Sequence, residues 1–189
     1  MQKINEILKN DGVISFVTDT VWGVGCLPTS VKAVDKIYEI KGRDRSKPLI
    51  LMSNSLENLL PYVQNMSTMQ KEFAKKYFPG AVTMILKKSE KTADYLTSNM
   101  DTLGIRVPDN SVFSQLCSKI DGHVLATTSA NLSNLPSAKC YKEAVEFIGD
   151  YVDYVLPNEE DKAKGLESTV VLLVDDNVKI LRQGAITID

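Results

Sequence analysis

Four cations, Lys41, Arg43, Arg45 and Lys47, stand at every second position of a stretch that ends at Pro48. In an extended chain successive side chains alternate faces, so this spacing predicts all four on one side. Pro48 favours that conformation because it keeps the residue before it out of the helical region. Gly42 can end a preceding helix and so fix where the row begins. A row of like charges repels itself, and a phosphate or carboxylate is the natural group to neutralise it. Taken alone, such a run reads as well as a solvated basic loop.

Hydroxyls supply the second half of the chemistry. A buried strand over 13–17 runs into Thr18-Asp-Thr20, and another over 123–128 runs into Ser129-Ala-Asn131. Small hydroxyl residues just past a strand are common in the ligand crevices of α/β sheets, and also in ordinary turns. Arg106 sits inside a short apolar strand, either as a snorkelling cation or as a guanidinium aimed at a partner. Ser168 and Arg182 stand at strand ends near the C-terminus.

What is missing narrows the reaction. His123 is the only histidine, and the start of a buried strand suits a structural role better than a Ser-His-Asp or Cys-His mechanism. No pair of carboxylates is set out for acid–base work, and no His, Cys or carboxylate cluster has metal-ligand spacing. Gly23 and Gly25 are too little for a dinucleotide fingerprint, and no Walker A pattern occurs. Cations and hydroxyls without a base suit anion binding and the stabilisation of developing negative charge, as in phosphoryl or nucleotidyl transfer.

Positioning such residues requires a scaffold, and 189 residues suit a single α/β domain over 1–189. The 22 basic and 24 acidic residues give a net charge of -2, which argues against a general nucleic-acid binder but leaves room for a local basic groove. Cys26, Cys117 and Cys140 are odd in number and far apart, as expected of reduced cytosolic thiols rather than disulfides or a zinc site. With no signal peptide and no bilayer-length apolar run, a soluble cytoplasmic protein is expected. Helical patterns begin near residue 4 and then cover 30–42, 56–62, 67–78, 110–120 and 137–148; strands fall at 49–52, 81–86, 103–108 and 152–156, with a hairpin over 168–182. The polar segment 157–167 reads as a mobile loop, either a lid over the site or a plain connector. Strands alternating with helices until the last hairpin predict a three-layer α/β fold with a mixed sheet.

The same residues resemble the YrdC-like family of threonylcarbamoyl-AMP synthases. Thr18-Asp-Thr-Val-Trp-Gly-Val-Gly25 resembles the family's first turn, and Lys41-Gly-Arg43 with Lys47-Pro-Leu49 its basic signature. Phe78-Pro-Gly80 with Thr83, Gly104-x-Arg-x-Pro108, Ser129-Ala-Asn131, Ser168-Thr169 and Arg182-x-Gly184 follow in the family's order. Val17 stands where the family usually has proline, and Met52 where longer members often carry a histidine. The resemblance implies a YrdC-like fold with a twisted mixed parallel and antiparallel sheet flanked by helices. It also implies condensation of L-threonine, bicarbonate and ATP into threonylcarbamoyl-adenylate and pyrophosphate, for threonylcarbamoyladenosine in tRNA.

By that resemblance Lys41 and Arg43 belong to the catalytic centre. Arg43, Lys47, Thr102, Ser129, Asn131, Ser137 and Arg182 would contact ATP. Thr20, Arg106, Thr127 and Ser168 would hold threonine, with Arg106 suited to its carboxylate. Mg2+ would come with ATP and no protein metal ligand is expected. The expected partners are the downstream tRNA threonylcarbamoyl-transfer proteins, with weak direct tRNA binding left open and no membrane. Two rivals stay open at this point: a non-catalytic RNA-binding module using the same basic groove, and a carbamoyl-adenylate synthase related in fold.

Overall fold

The computed structural model describes residues 2–158, 163–175 and 177–189. Its strands are short, and most of them pair with partners distant in sequence. They are β1 (Ile14–Phe16), β2 (Gly23–Cys26), β3 (Ile50–Ser53), β4 (Val82–Lys87), β5 (Thr102–Arg106), β6 (Val124–Ser129), β7 (Tyr154–Val155), β8 (Thr169–Val174) and β9 (Asn177–Arg182). One sheet takes them in the order β7-β1-β2-β6-β3-β5-β4-β8-β9. The β1/β7, β3/β5 and β4/β8 pairs are parallel and the others antiparallel. The expected mixed sheet is thus observed.

The helices are α1 (Gln2–Lys9), α2 (Val31–Lys41), α3 (Thr68–Tyr77), α4 (Asp94–Thr97), α5 (Ser111–Lys119) and α6 (Tyr141–Ile148). Three begin with a side-chain cap: Ser30 accepts from the Ala33 N–H, Asn110 accepts from the Phe113 N–H, and Ser67 and Gln70 form a reciprocal capping box. Gly42 closes α2 at φ 55°, a conformation that costs glycine nothing.

Two apolar cores lie on the two faces of the sheet. The larger takes side chains of α2, α3, α4 and α6; the smaller takes Ile4 and Leu8 of α1 and Phe113, Leu116 and Cys117 of α5. Alternation along β6 sends Val124 and Ala126 to the larger core and Leu125 to the smaller. The smaller core stops halfway across the sheet, however. It takes no residue from β4, β5, β8 or β9, although Met84, Leu103, Ile105 and Val171 of those strands fill the larger core. Half of one sheet face is therefore left without a helical layer.

Several local expectations change. The basic stretch is not extended: Asp44 accepts from the Ser46 N–H at 2.8 Å and from the Lys47 N–H through its backbone oxygen at 3.0 Å, which closes a turn. The helix expected over 56–62 is only the 3-10 turn Leu60–Tyr62, because Pro61 keeps Leu60 from continuing an α-helix. α6 starts at Tyr141 rather than at 137, since the Ala138 backbone is already paired with Trp22 and Ala130. Gly23 and Gly25, given no strand in the sequence reading, lie in β2 over the Phe16 ring.

Candidate functional site

The helix-free half of the sheet face is the floor of a cavity of about 600 Å³. Every second residue of the strands looks into it: Ile50 and Met52 of β3, Thr83 and Ile85 of β4, Thr102, Gly104 and Arg106 of β5, Thr127 and Ser129 of β6. Gly104 keeps that floor deep, because a methyl group there would lie 2.7 Å from Ile50 Cγ2.

At one end Arg106 is 2% exposed. Its Nε donates to the Gly80 carbonyl at 3.0 Å, one Nη to Thr20 Oγ1 at 2.8 Å and the other to Asp19 Oδ1 at 2.6 Å. Burial pulls the guanidinium below its ordinary value, and the Asp19 carboxylate works against that shift. Thr20 is held in turn by Thr18, whose hydroxyl lies 3.1 Å from the Thr20 hydroxyl and donates to the Val21 carbonyl. Thr83 and Ser168 hydroxyls meet at 2.8 Å across β4 and the start of β8. The result is a rigid corner of hydroxyls around a matched cation.

The opposite wall is basic and more open. Lys41 ends α2 and is 3% exposed; its Nζ donates to the Ser129 carbonyl, the Asn131 carbonyl and Asn131 Oδ1 at 2.6–2.7 Å. Burial, with Arg43 adding, lowers its pKa to about 7, while Glu167 opposes. An ammonium has three protons and all are engaged here. Lys41, expected at the catalytic centre, therefore holds the Ser129–Asn131 turn in place in this geometry. Arg43 is half-buried and ties its own loop by donating to the Lys47 and Pro48 carbonyls at 3.1 and 3.2 Å.

The turn at Asp44 splits the row of cations. Lys41, Arg43 and Lys47 line the cavity, whereas Arg45 pairs with Asp35 at 2.6 Å and lies over the Tyr38 ring. This is a directed cavity wall rather than a diffuse basic surface.

The last wall comes from the C-terminal hairpin. Arg182 donates to Glu167 Oε2 at 2.6 Å and to the Ser168 carbonyl from Nε and Nη2 at 3.2 and 2.9 Å. The Gly165 and Lys164 N–H groups donate to the Thr20 and Asp19 carbonyls, which fastens this segment over the buried corner. The lid expected over 157–167 falls in part on 159–162, outside the described residues.

Of the residues singled out from sequence, Thr20, Lys41, Arg43, Lys47, Thr102, Arg106, Thr127, Ser129, Asn131, Ser168 and Arg182 all line this cavity. Ser137 does not; it donates to Glu167 Oε1 at 3.2 Å from behind the wall. Met52 also lines the cavity. His123 lies in an exposed turn with Nδ1 2.9 Å from the Cys117 carbonyl, away from the cavity. Sequence reasoning gave no role to Asp19 or Glu167. Asp19 carried a signal, lying next to the assigned Thr20 in the first motif, whereas Glu167 carried only its place before Ser168.

The sequence matches the family described as "Telomere recombination", the Sua5, YciO and YrdC group, over residues 6–184. It is 31% identical over 185 residues to the threonylcarbamoyl-AMP synthase of Vibrio parahaemolyticus, a match covering 97% of this chain and 98% of that one. The threonylcarbamoyl-AMP synthase of an Enterobacter species is 36% identical over 147 residues, 77% of each chain. Among solved structures, Pyrococcus abyssi Sua5 complexed with L-threonine superposes with a TM-score of 0.90 at 28% identity. That match covers 97% of this chain and 53% of the other, so the present chain spans about half of that protein's length.

Proposed function

The chain belongs to the Sua5/YciO/YrdC family, and on that premise we propose that it makes threonylcarbamoyl-AMP from L-threonine, bicarbonate and ATP, acting as one domain over 1–189. The observation that carries the reading is the shared cavity. Residues assigned by motif to threonine and to ATP lie far apart in sequence yet line one space on the bare half of the sheet.

The chemistry fits a site without a base. The threonine amine takes up bicarbonate to give an N-carboxylate and water. One carboxylate oxygen then attacks the α-phosphorus of ATP, and the bond to pyrophosphate breaks. That oxygen is already anionic, so no residue need remove a proton at this step. The protein's task is to hold the two reactants in line and to neutralise charge. Arg106 and the Thr20, Thr127 and Ser168 hydroxyls would receive threonine, with its carboxylate on the guanidinium. Arg43, Lys47 and Arg182 would receive the phosphates, while Lys41 holds Ser129 and Asn131 in position.

Magnesium would arrive on those phosphates. Among the described residues no group of three or more His, Cys, Asp or Glu is placed to hold a metal. The cavity does offer hydroxyl oxygens, hard donors suited to an ion that keeps most of its waters and substrate oxygens. When bound, magnesium supplies charge neutralisation on the leaving pyrophosphate.

No helix among the described residues is long and apolar enough to cross a membrane. Cytoplasmic residence, transfer of the product to tRNA by downstream proteins and weak direct binding of tRNA complete the proposal. The test is pyrophosphate release from ATP with threonine and bicarbonate supplied singly and together. Release is expected only with both, and equal release without threonine sinks the reading.

A further inference from the structure

Among the described residues Glu167 is the one carboxylate on a cavity wall otherwise made of cations, hydroxyls, amides and apolar groups. Its side chain meets Arg182 Nη1 at 2.6 Å and the Ser137 hydroxyl at 3.2 Å. Arg182 has little else to give a ligand, because Nε and Nη2 already donate to the Ser168 carbonyl. A phosphate reaching Arg182 therefore meets the guanidinium edge that Glu167 now covers.

Resting on the functional reading above, we propose that Glu167 is an internal anion holding the phosphate seat of Arg182, exchanged for the polyphosphate and so setting how tightly the cavity keeps anions. Three features make the exchange easy. The pair is half in solvent, with side chains 46% and 42% exposed, and pairs of that kind contribute little to stability. The Glu167 backbone is clamped, since its carbonyl accepts from the Ala185 N–H at 2.8 Å and any Cβ at Gly184 would lie 2.3 Å from that oxygen. Movement is thus confined to the carboxylate arm. Its negative charge also raises the pKa of Lys41 and Arg43 against their burial, so its field reaches across the cavity to those two cations.

The consequence is a cavity that does not cling to anions. A single weak anion gains little by displacing Glu167, whereas a polyphosphate brings enough charge to do so. The pyrophosphate product then meets a competing carboxylate that favours its departure.

Calorimetric titration of wild type and Glu167→Gln with inorganic pyrophosphate, MgATP and adenosine tests this. The variant is expected to bind pyrophosphate and ATP about tenfold tighter, as the loss of one nearby opposing charge implies, with adenosine unchanged. In turnover, kcat should fall together with KM for ATP as release slows. Unchanged or weaker polyphosphate binding by folded Glu167→Gln overturns the proposal and makes Glu167 a strut that holds Arg182 in its binding pose. Should that variant fail to fold, Ser137→Ala carries the test by removing the other tether. A gain of about two- to threefold in pyrophosphate affinity then supports the exchange, and none or a loss overturns it. Failure of the synthase reading would show in wild type, as pyrophosphate release independent of threonine. The exchange is decided separately, by the ratio of variant to wild-type affinity for pyrophosphate.

Discussion

Arg106 and Arg182 both line the cavity, and each meets a carboxylate at 2.6 Å. The Arg106–Asp19 side chains are 3% and 6% exposed, those of Arg182–Glu167 46% and 42%. Burial changes what the same pair does. Removing one partner of a buried pair strands the other charge in a poor solvent, at about 3–5 kcal/mol, while an exposed pair is worth about 0–1 kcal/mol. The first pair is fixed scaffolding for the corner proposed to hold threonine. The second can part without loss of the fold, which suits a wall that must take and release phosphate.

The largest expected effect tests the contrast directly. Asp19→Ala should lower the free energy of unfolding by about 3–5 kcal/mol, and Glu167→Ala by less than about 1 kcal/mol, in urea titrations. Similar losses from both would erase the difference between the two corners. Next comes the basic wall. Arg43→Ala should reduce kcat/KM for ATP by about 1.5–3 kcal/mol of transition-state stabilisation, as expected for lost charge-assisted hydrogen bonds. Arg45→Ala, whose charge is spent on Asp35 outside the cavity, should cost under about 1 kcal/mol. Equal losses would point to a diffuse basic patch and restore the RNA-binding reading.

The fixed corner makes a smaller prediction about selectivity. Serine should replace threonine with a penalty of about 1–3 kcal/mol in kcat/KM, the worth of one methyl in a fitted pocket. If serine serves as well as threonine in steady-state assays, the corner does not enclose that methyl. Lys41 sharpens the comparison with a third case, a buried cation held by carbonyl and amide oxygens and no carboxylate. Its folded pKa is lowered to about 7, by burial first. The unfolded lysine keeps its proton well above that pH, so the unfolded state binds more protons as pH rises from about 7 toward 10. Stability from this group should therefore increase across that window, with a slope below about 1.4 kcal/mol per pH unit because three oxygen acceptors oppose proton loss. Urea midpoints from about pH 6.5 to 9 should carry that slope, and Lys41→Met should flatten it.

Sequence and structure agree where the governing interactions are local. Ser30, Ser67, Gln70 and Asn110 announce helix starts because a cap reaches only two or three residues. The hairpin over 168–182 and the alternating strand patterns are visible for the same reason. Misreadings occur where a neighbour outside the window intervenes. The Ala138 backbone is claimed by Trp22 and Ala130, so α6 starts late. The cation row departs from an extended run within its own window, because a turn at Asp44 interrupts it.

By itself the sequence determined the element types, the reagents and their family: cations, hydroxyls and an arginine inside an apolar strand, in a known order. Their meeting in one space was decided by the tertiary structure. The order of the sheet places β3, β5, β4 and β8 side by side, and α1 and α5 are too few to cover the whole face they share. Glu167 enters the site only through that arrangement, since a strand's partners depend on pairing across the whole chain. Burial likewise belongs to the finished fold. The sequence records two arginines of the same chemistry, and the depth of solvent around each makes one a fixture and the other exchangeable.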